Sequence, residues 1–579
     1  MAHTPTPTRR FVPADIDLAD WAQLEPLFHT LRDRSLESPA EVEQWLRDLS
    51  ELTAVVSEYG SRRRIDQACH TDDPAIEKAF LHYVEHIAPK MKPAFFALQK
   101  KLLDSPQRDA LQGERYEVLL REWQADVDLF REANVPLQTQ ATKLVSEYDK
   151  LIGAMEVDFQ GKTRTLQQLA RFLEEPDREV REQAWTLSAH RRLQDREAIE
   201  GVFEKLLGLR QQIAVNADKR DYRDYVWQSY ARFDYSPEDC LAFADAIEQV
   251  CMPLVAKLDE QRRAKLGVDT LRPWDLSVDV AGRAPLSPFD ADEPGELVAR
   301  TREVFGRLSP ELAQEFGGLT FERNLDLESR RGKRAGGFQS ALEESGEPFI
   351  FMNAAGSQRD VETLLHEGGH AFHFLWSWRA EPLVFLRHAP LEFCEVASMA
   401  MELMGSHHLD VFYPDEASQA RAQRTILEGL VRLFPWITTI DSFQHWLYTH
   451  PGHTEDERRA QWLSLMDRFN SPVVDWSGHE DARANLWHKQ LHLFHRPFYY
   501  IEYGIAQLGA LQLWAQFKQD REEAMRHYRE ALKLGGTRPL PKLFEAAGLR
   551  FDFTRATLEP LMAAVWSELE ALPEEAASG

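Results

Sequence analysis

The run His366-Glu367-Gly368-Gly369-His370 holds the residue types and spacing best suited to chemistry in this chain. In a helix, residues four apart share a face, so His366 and His370 can reach one metal ion while Glu367 points beside them toward a bound water. This is the arrangement a zinc hydrolase needs: zinc accepts neutral imidazole and carboxylate ligands, and a catalytic site uses three protein ligands and keeps a fourth position for water. A third ligand must come from elsewhere. The surrounding stretch from Val361 to Trp378 is strongly apolar, and a buried helix rarely carries two ionisable rings and a carboxylate without compensating partners. The adjacent glycines lower helix propensity by about 1 kcal/mol each, which points to close packing against another backbone.

Downstream, APLEFCEVASMAMELMG offers Glu392, Glu395 and Glu402 in an otherwise apolar helix. Glu395 and Glu402 stand two turns apart on one face, and Glu392 is one turn before Glu395. Such carboxylates are costly unless one meets a metal and another holds a ligand histidine by its second ring nitrogen; spacing does not choose among the three. His373, one turn beyond His370, is assigned to the cleft wall or to the groups supporting the ligands. A last run, LWHKQLHLFHRPFYYIEYG, gathers His488, His492 and His495 with Tyr499, Tyr500 and Tyr503. Imidazole and phenol groups can donate to the oxyanion that develops when a carbonyl is attacked.

These blocks need a scaffold. Apolar residues recurring at three- and four-residue steps predict successive amphipathic helices from Asp20 to about residue 265, with starts at Ser38-Pro39 and Asp73-Pro74. VDFQGKTRTL predicts a hairpin within this region, and RQQIAVNADKRDYRDYVWQSY reads as one long helical segment. Between Val268 and Ala355 the texture changes to irregular chain, a helix from Glu293 to about Leu308, and strand-like pieces between glycine-rich turns. That predicts a small β-sheet beside the helix of His366, in a mainly α fold. GKRAGG lacks the Lys-Ser/Thr ending of a phosphate loop, so nucleotide binding is not expected.

The chain has 579 residues and a formal charge of -26, long enough for large cores and without the basic block that nucleic-acid binding requires. The start has no signal-like apolar segment and no apolar run reaches membrane length, so the expected location is the cytoplasm, with no membrane partner. Cys69, Cys240, Cys251 and Cys394 show neither metal-finger spacing nor disulfide density. Cys394 is read as a small apolar residue.

HEGGHAFH at 366 to 373, EFCEVASM at 392 to 399 and HLFHRPFYYIEYG at 492 to 504, in this order, resemble zinc metallopeptidases of the thimet oligopeptidase and oligoendopeptidase F type; PFIFMN at 348 to 353 and LKLGGTRPLPKLFEAAGL at 532 to 549 are similar to oligoendopeptidase F segments. The resemblance covers most of residues 190 to 560 and weakens toward the N-terminus. It implies a two-lobed helical ellipsoid with a deep substrate channel, one zinc per chain, and cleavage of internal bonds in short unstructured peptides, with no obligate protein partner inferable. By the same resemblance His366, His370 and Glu395 are the zinc ligands, Glu367 is the general base, and His492, Tyr500 and Tyr503 hold substrate and stabilise the tetrahedral intermediate. Tyr499 is adjacent to that set. Ala397 and Met399 stand where many relatives have proline and glutamine, which bears on substrate preference. The expected organisation is an N-terminal helical region at 1–190, a catalytic region at 191–559 and a polar tail at 560–579. The rival readings are a zinc carboxypeptidase in a similar channel and a non-catalytic helical peptide-binding protein.

Overall fold

The computed structural model describes residues 9–291, 293–321 and 323–573. The polar start ahead of Arg9 and the end of the expected tail, 574–579, lie outside the described residues. Helices dominate, accompanied by two small sheets, and the stretch between the helices Pro237–Leu266 and Pro294–Leu308 is largely irregular apart from a short 3-10 turn at Pro273–Asp275. Their starts reflect local chemistry: Ser38 and Asp73 accept from backbone N–H groups of the first turn, each with proline directly after. The predicted hairpin forms, β1 (Glu156–Phe159) pairing antiparallel with β2 (Lys162–Thr165). RQQIAVNADKRDYRDYVWQSY, by contrast, is split: helices Arg196–Asn216 and Tyr222–Ser229 flank a turn at Asp218 (φ 57°), and Asp221 caps the second helix. No helix among the described residues is long and apolar enough to cross a membrane.

The buried apolar side chains separate into two main cores. One packs Leu24, Phe28, Trp45 and Leu49 against Leu98, Leu102 and Trp123, with Leu383 and Leu386 reaching in from later in the chain. The other, much larger, takes in Tyr148, Phe203, Phe372, Phe393, Ile505 and Leu569. The division therefore falls between Trp123 and Tyr148, ahead of the boundary expected at 190. Amphipathic helices lie on both sides, so sequence texture does not change where the core does. The C-terminal expectation also needs correction: helix Arg555–Ala571 continues past residue 560, because Met562, Val565 and Leu569 supply its buried stripe.

The second sheet has the order β3-β5-β4, with β3 (Leu325–Glu328) parallel and β4 (Phe338–Leu342) antiparallel to the central β5 (Glu347–Ala354). β5 buries Phe349, Ile350, Phe351 and Met352 in succession, the run expected of a strand covered on both faces. It leads directly into the motif helix, Gln358–Ala380, through a turn in which Asp360 accepts from the N–H groups of Ala355 and Ser357 at 2.9 and 2.8 Å.

The motif helix crosses the glutamate helix, Leu391–Gly405, at Gly369. A Cβ there would lie 2.6 Å from both the Ala397 carbonyl oxygen and Ser398 Cα, so the expected contact with another backbone is present. Gly368 differs: its Cβ would meet the Phe305 ring, 2.6 Å from Cζ. A ring can shift whereas a helix backbone cannot, which separates the two positions energetically. Gly369→Ala is expected to cost about 3 kcal/mol or more, the upper range for overpacking, and Gly368→Ala distinctly less. Denaturant unfolding of the two variants checks this, and equal midpoints would contradict it.

Candidate active site

The crossing at Gly369 brings three donors to one point. His366 Nε2 and His370 Nε2 lie 3.4 and 3.6 Å from Glu395 Oε2, and the donor atoms are all within 4.8 Å of one another. Bonds of ~2.0–2.1 Å to a tetrahedral zinc put ligand atoms ~3.4 Å apart, so this set fits a single ion. Each donor is oriented from behind. Glu402 Oε1 is 2.6 Å from His366 Nδ1, which turns Nε2 toward the cluster. The Cys394 backbone hydrogen-bonds the His370 ring. Tyr499 donates to Glu395 Oε1 at 2.6 Å and Ser398 to Oε2 at 3.2 Å. Such outer partners fix tautomer and ligand basicity.

Charge within the cluster obeys the same geometry. Burial opposes a proton on His366, yet its hydrogen bonds to Glu395 and Glu402 outweigh that and hold its pKa well above the histidine range. Burial brings His370 down to about 4. Burial also opposes ionisation of Glu395, but His370 and His366 draw its pKa down to about 2. The arrangement stabilises positive charge at the point the three donors face.

Glu367 is buried beside them. Its Oε2 has no hydrogen-bond partner, and burial raises its pKa to about 7. Gly337, in the glycine-rich stretch before β4, allows close cover: a Cβ there would lie 3.4 Å from Glu367 Oε1 and 3.2 Å from Thr363 Cγ2. This stretch is thus a wall of the site rather than a loose surface loop.

Across a cavity of about 560 Å³ stand His492, Tyr500 and Tyr503, facing His366, Glu367 and Glu402. Trp436 Nε1 donates to Gln490 Oε1 at 3.3 Å, which directs the Gln490 amide nitrogen to His492 Nδ1 at 2.8 Å. An indole only donates, so the chain of bonds orients the amide and leaves the hydrogen of neutral His492 on Nε2. Burial lowers the His492 pKa to about 4, keeping the ring neutral. His492 Nε2 lies 3.3 Å from the Tyr503 hydroxyl. The Tyr500 hydroxyl hydrogen-bonds the side chains of Trp436 and Gln490, and burial raises its pKa to about 12.

These side chains depend on a sharp turn at Phe498, a buried non-glycine residue at φ 62°. Its N–H donates to Gln444 Oε1 at 2.6 Å and its carbonyl accepts from Arg232 Nη2. Both backbone groups are pinned, offsetting a conformation that costs on the order of 1–3 kcal/mol.

Two of the supporting residues expected at the site lie elsewhere. His373 is buried and does not line the cavity; its ring centroid is 6.3 Å from that of Phe393, and burial lowers its pKa to about 3. Three residues advance a helix by ~4.5 Å, which carries its ring past the cavity into the helix interface. Glu392 belongs to another network, accepting from Tyr235 at 2.5 Å and lying 3.8 Å from Arg232, which also pairs with Glu502. Glu402 supports His366 and Tyr499 supports Glu395. His488 and His495 pair with Glu200 and Asp149 at 2.9 and 2.7 Å. No motif or spacing points to Gln490, Trp436, Gln444 or Arg232, because each acts through a contact distant in sequence or across a turn.

The profile described as peptidase family M3 matches residues 171–563, and that of the peptidase M3 N-terminal domain matches residues 11–130. The chain is 24% identical over 298 residues to an oligoendopeptidase F homolog of Borreliella burgdorferi, covering 50% of this chain and 49% of that protein. It is 24% identical over 381 residues to a homolog from Lactococcus lactis, covering 62% and 59% respectively. The chain thus spans about half to three-fifths of the length of these relatives. A crystal structure at 3.1 Å assigned to an oligoendopeptidase F has a TM-score of 0.91 at 27% identity, covering 97% of this chain and 99% of that one. PZ peptidase A with an inhibitor gives 0.91 at 25%, with the same coverage. The family match extends over more than half of the sequence and contains all three donors, and this chain belongs to peptidase family M3.

Proposed function

We propose that this protein is a zinc-dependent endopeptidase of short unstructured peptides, with Glu367 as general base. The observation that carries the reading is the buried carboxylate of Glu367, whose Oε2 has no hydrogen-bond partner, beside a three-donor cluster that opens on a cavity. A purely structural zinc closes its own coordination shell and needs no such carboxylate.

His366, His370 and Glu395 would hold the ion. When bound, zinc supplies Lewis acidity toward a carbonyl oxygen and lowers the pKa of a water toward 7. Glu367 accepts the proton released as water adds to the scissile carbonyl, and returns one to the departing amine. The neutral His492, through Nε2–H, and the Tyr503 hydroxyl donate to the oxyanion, with Tyr500 beside them. Because Gln490 and Trp436 set the His492 tautomer in advance, that donor needs no reorganisation as charge develops.

Three outcomes are expected. Glu367→Gln keeps one zinc per chain and lowers kcat about 10³-fold, checked by metal analysis and peptide assay on the same preparation; an active variant would reject the assignment. His492→Ala and Tyr503→Phe each lower kcat about 100-fold with KM little changed, as for donors used only in the transition state. A fall confined to KM would place them in ground-state binding instead. Finally, product mapping on peptides with blocked C-termini should show cleavage at internal bonds that stops on chelation. Failure to cut any blocked peptide while free ones are trimmed would favour the carboxypeptidase reading.

A further inference from the structure

A second group of metal-ligating side chains lies apart from the cluster of His366. Cys240, near the start of the helix Pro237–Leu266, meets Asp441 and His445, which stand one turn apart near the end of the helix Glu416–Thr449. One donor atom from each, a sulfur, a carboxylate oxygen and a ring nitrogen, lies within 4.8 Å of the other two, the same closeness as at the first cluster. The three residues are 2, 3 and 4% exposed, so bulk water does not satisfy them.

Buried polar groups ordinarily find hydrogen-bond partners, and these lack them. Asp441 Oδ1 and His445 Nε2 have none, and among the described residues no hydrogen bond reaches the Cys240 thiol. Distance is not the obstacle, because His445 Nε2 stands 3.2 Å from Asp441 Oδ2. The two are close yet not aligned for a hydrogen bond, as ligands aimed at a common third atom are. Neighbouring cations do not fill the gap. Arg223 Nη1 makes a long contact of 3.4 Å to the other ring nitrogen, Nδ1, and Arg232, whose charge reaches Cys240, is paired with Glu502.

One thiolate, one imidazole and one carboxylate make a donor set suited to zinc, whereas magnesium and calcium select oxygen. Asp441 can close the fourth position with its second oxygen, giving the complete shell of a structural ion. We propose that Cys240, Asp441 and His445 form a second zinc site, structural rather than catalytic, that ties the helix Pro237–Leu266 to the helix Glu416–Thr449. As the Zn–S bond forms, the Cys240 thiol gives its proton to solvent; His445 binds through Nε2 with its hydrogen on Nδ1, and the long Arg223 contact gives way. The place has a consequence for the cavity. The His445 ring packs 5.3 Å from that of Phe498, and the adjacent Gln444 accepts from the Phe498 N–H, so this ion braces the turn that aims Tyr499, Tyr500 and Tyr503. The site does not depend on the peptidase reading. The zinc retained by Glu367→Gln is that of the first cluster, and this ion is additional to it.

Cobalt(II) substitutes for zinc in such shells, and a thiolate ligand gives it an intense charge-transfer band in the near ultraviolet. His366, His370 and Glu395 contribute no sulfur, so the band reports the second site alone. Full-length protein produced in cobalt-supplemented medium, which lets the ion enter as the chain folds, is expected to show the band and to carry two ions per chain by elemental analysis. Cys240→Ala should lose the band and one ion, whereas His370→Ala should keep the band and lose the other ion. Wild-type protein without the band, or a band that survives in Cys240→Ala, would overturn the site; the wild-type spectrum decides even where the variant folds poorly. A band accompanied by one ion per chain, and unchanged in His370→Ala, upholds this site and rejects a metal at the first cluster instead.

Discussion

The contact of Gly369 with the backbone of Ala397 and Ser398 is the constraint on which the site depends. With a side chain at 369 the two helices would separate, and Glu395 would withdraw from the imidazoles four residues apart on the motif helix. The glycine pair weakens that helix locally, by about 1 kcal/mol per residue, and the surrounding core offsets this. Val361, Leu364, Leu365, Ala371 and Phe372 are all buried against the larger core, so the helix is held by packing rather than by propensity.

Around this contact, nearly every polar group near the donors is already engaged: Glu402 on His366, Tyr499 and Ser398 on Glu395, Gln490 on His492. Glu367 Oε2 is an exception, as are His373 Nε2 and Gln507 Nε2 among the described residues. A buried carboxylate oxygen without a partner is expensive, and its cost is sustained because the neighbouring groups are over-determined. The same logic applies at Phe498, where Arg232 and Gln444 hold an unfavourable backbone conformation that aims the tyrosines across the cavity. Arg232 reaches into the network of Glu392 and Glu502, so an element that touches no candidate ligand still orients the opposing wall.

The lobes differ in how they relate to the site. The N-terminal core is closed largely by its own helices and receives Leu383 and Leu386 from the link between the motif and glutamate helices. A smaller cluster joins Ile65, Ala68 and Cys69 to Leu342, Phe349 and Phe351 of the sheet. The sheet that borders Glu367 is thereby buttressed by an early helix, tying the first third of the chain to the position of the general-base candidate.

By itself, the sequence determined the features that periodicity and residue type express. The spacing of His366 and His370, the apolar faces, the capping residues, the hairpin and the small sheet are local properties, and local sterics produce them wherever the chain goes. Helical spacing alone left Glu392, Glu395 and Glu402 open; the family resemblance named Glu395, and tertiary structure supplies the physical reason, because the crossing at Gly369 sets Glu395 against both histidines while Glu402 reaches only His366. Tertiary structure also decided that His373 turns into a helix interface, that the core divides ahead of Tyr148, and that the last helix runs to Ala571. The tautomer of His492 is of the same kind: it is set by Trp436 through Gln490, a contact between residues far apart along the chain. Helical periodicity specifies a direction around an axis, and the neighbour met in that direction depends on how the axes cross.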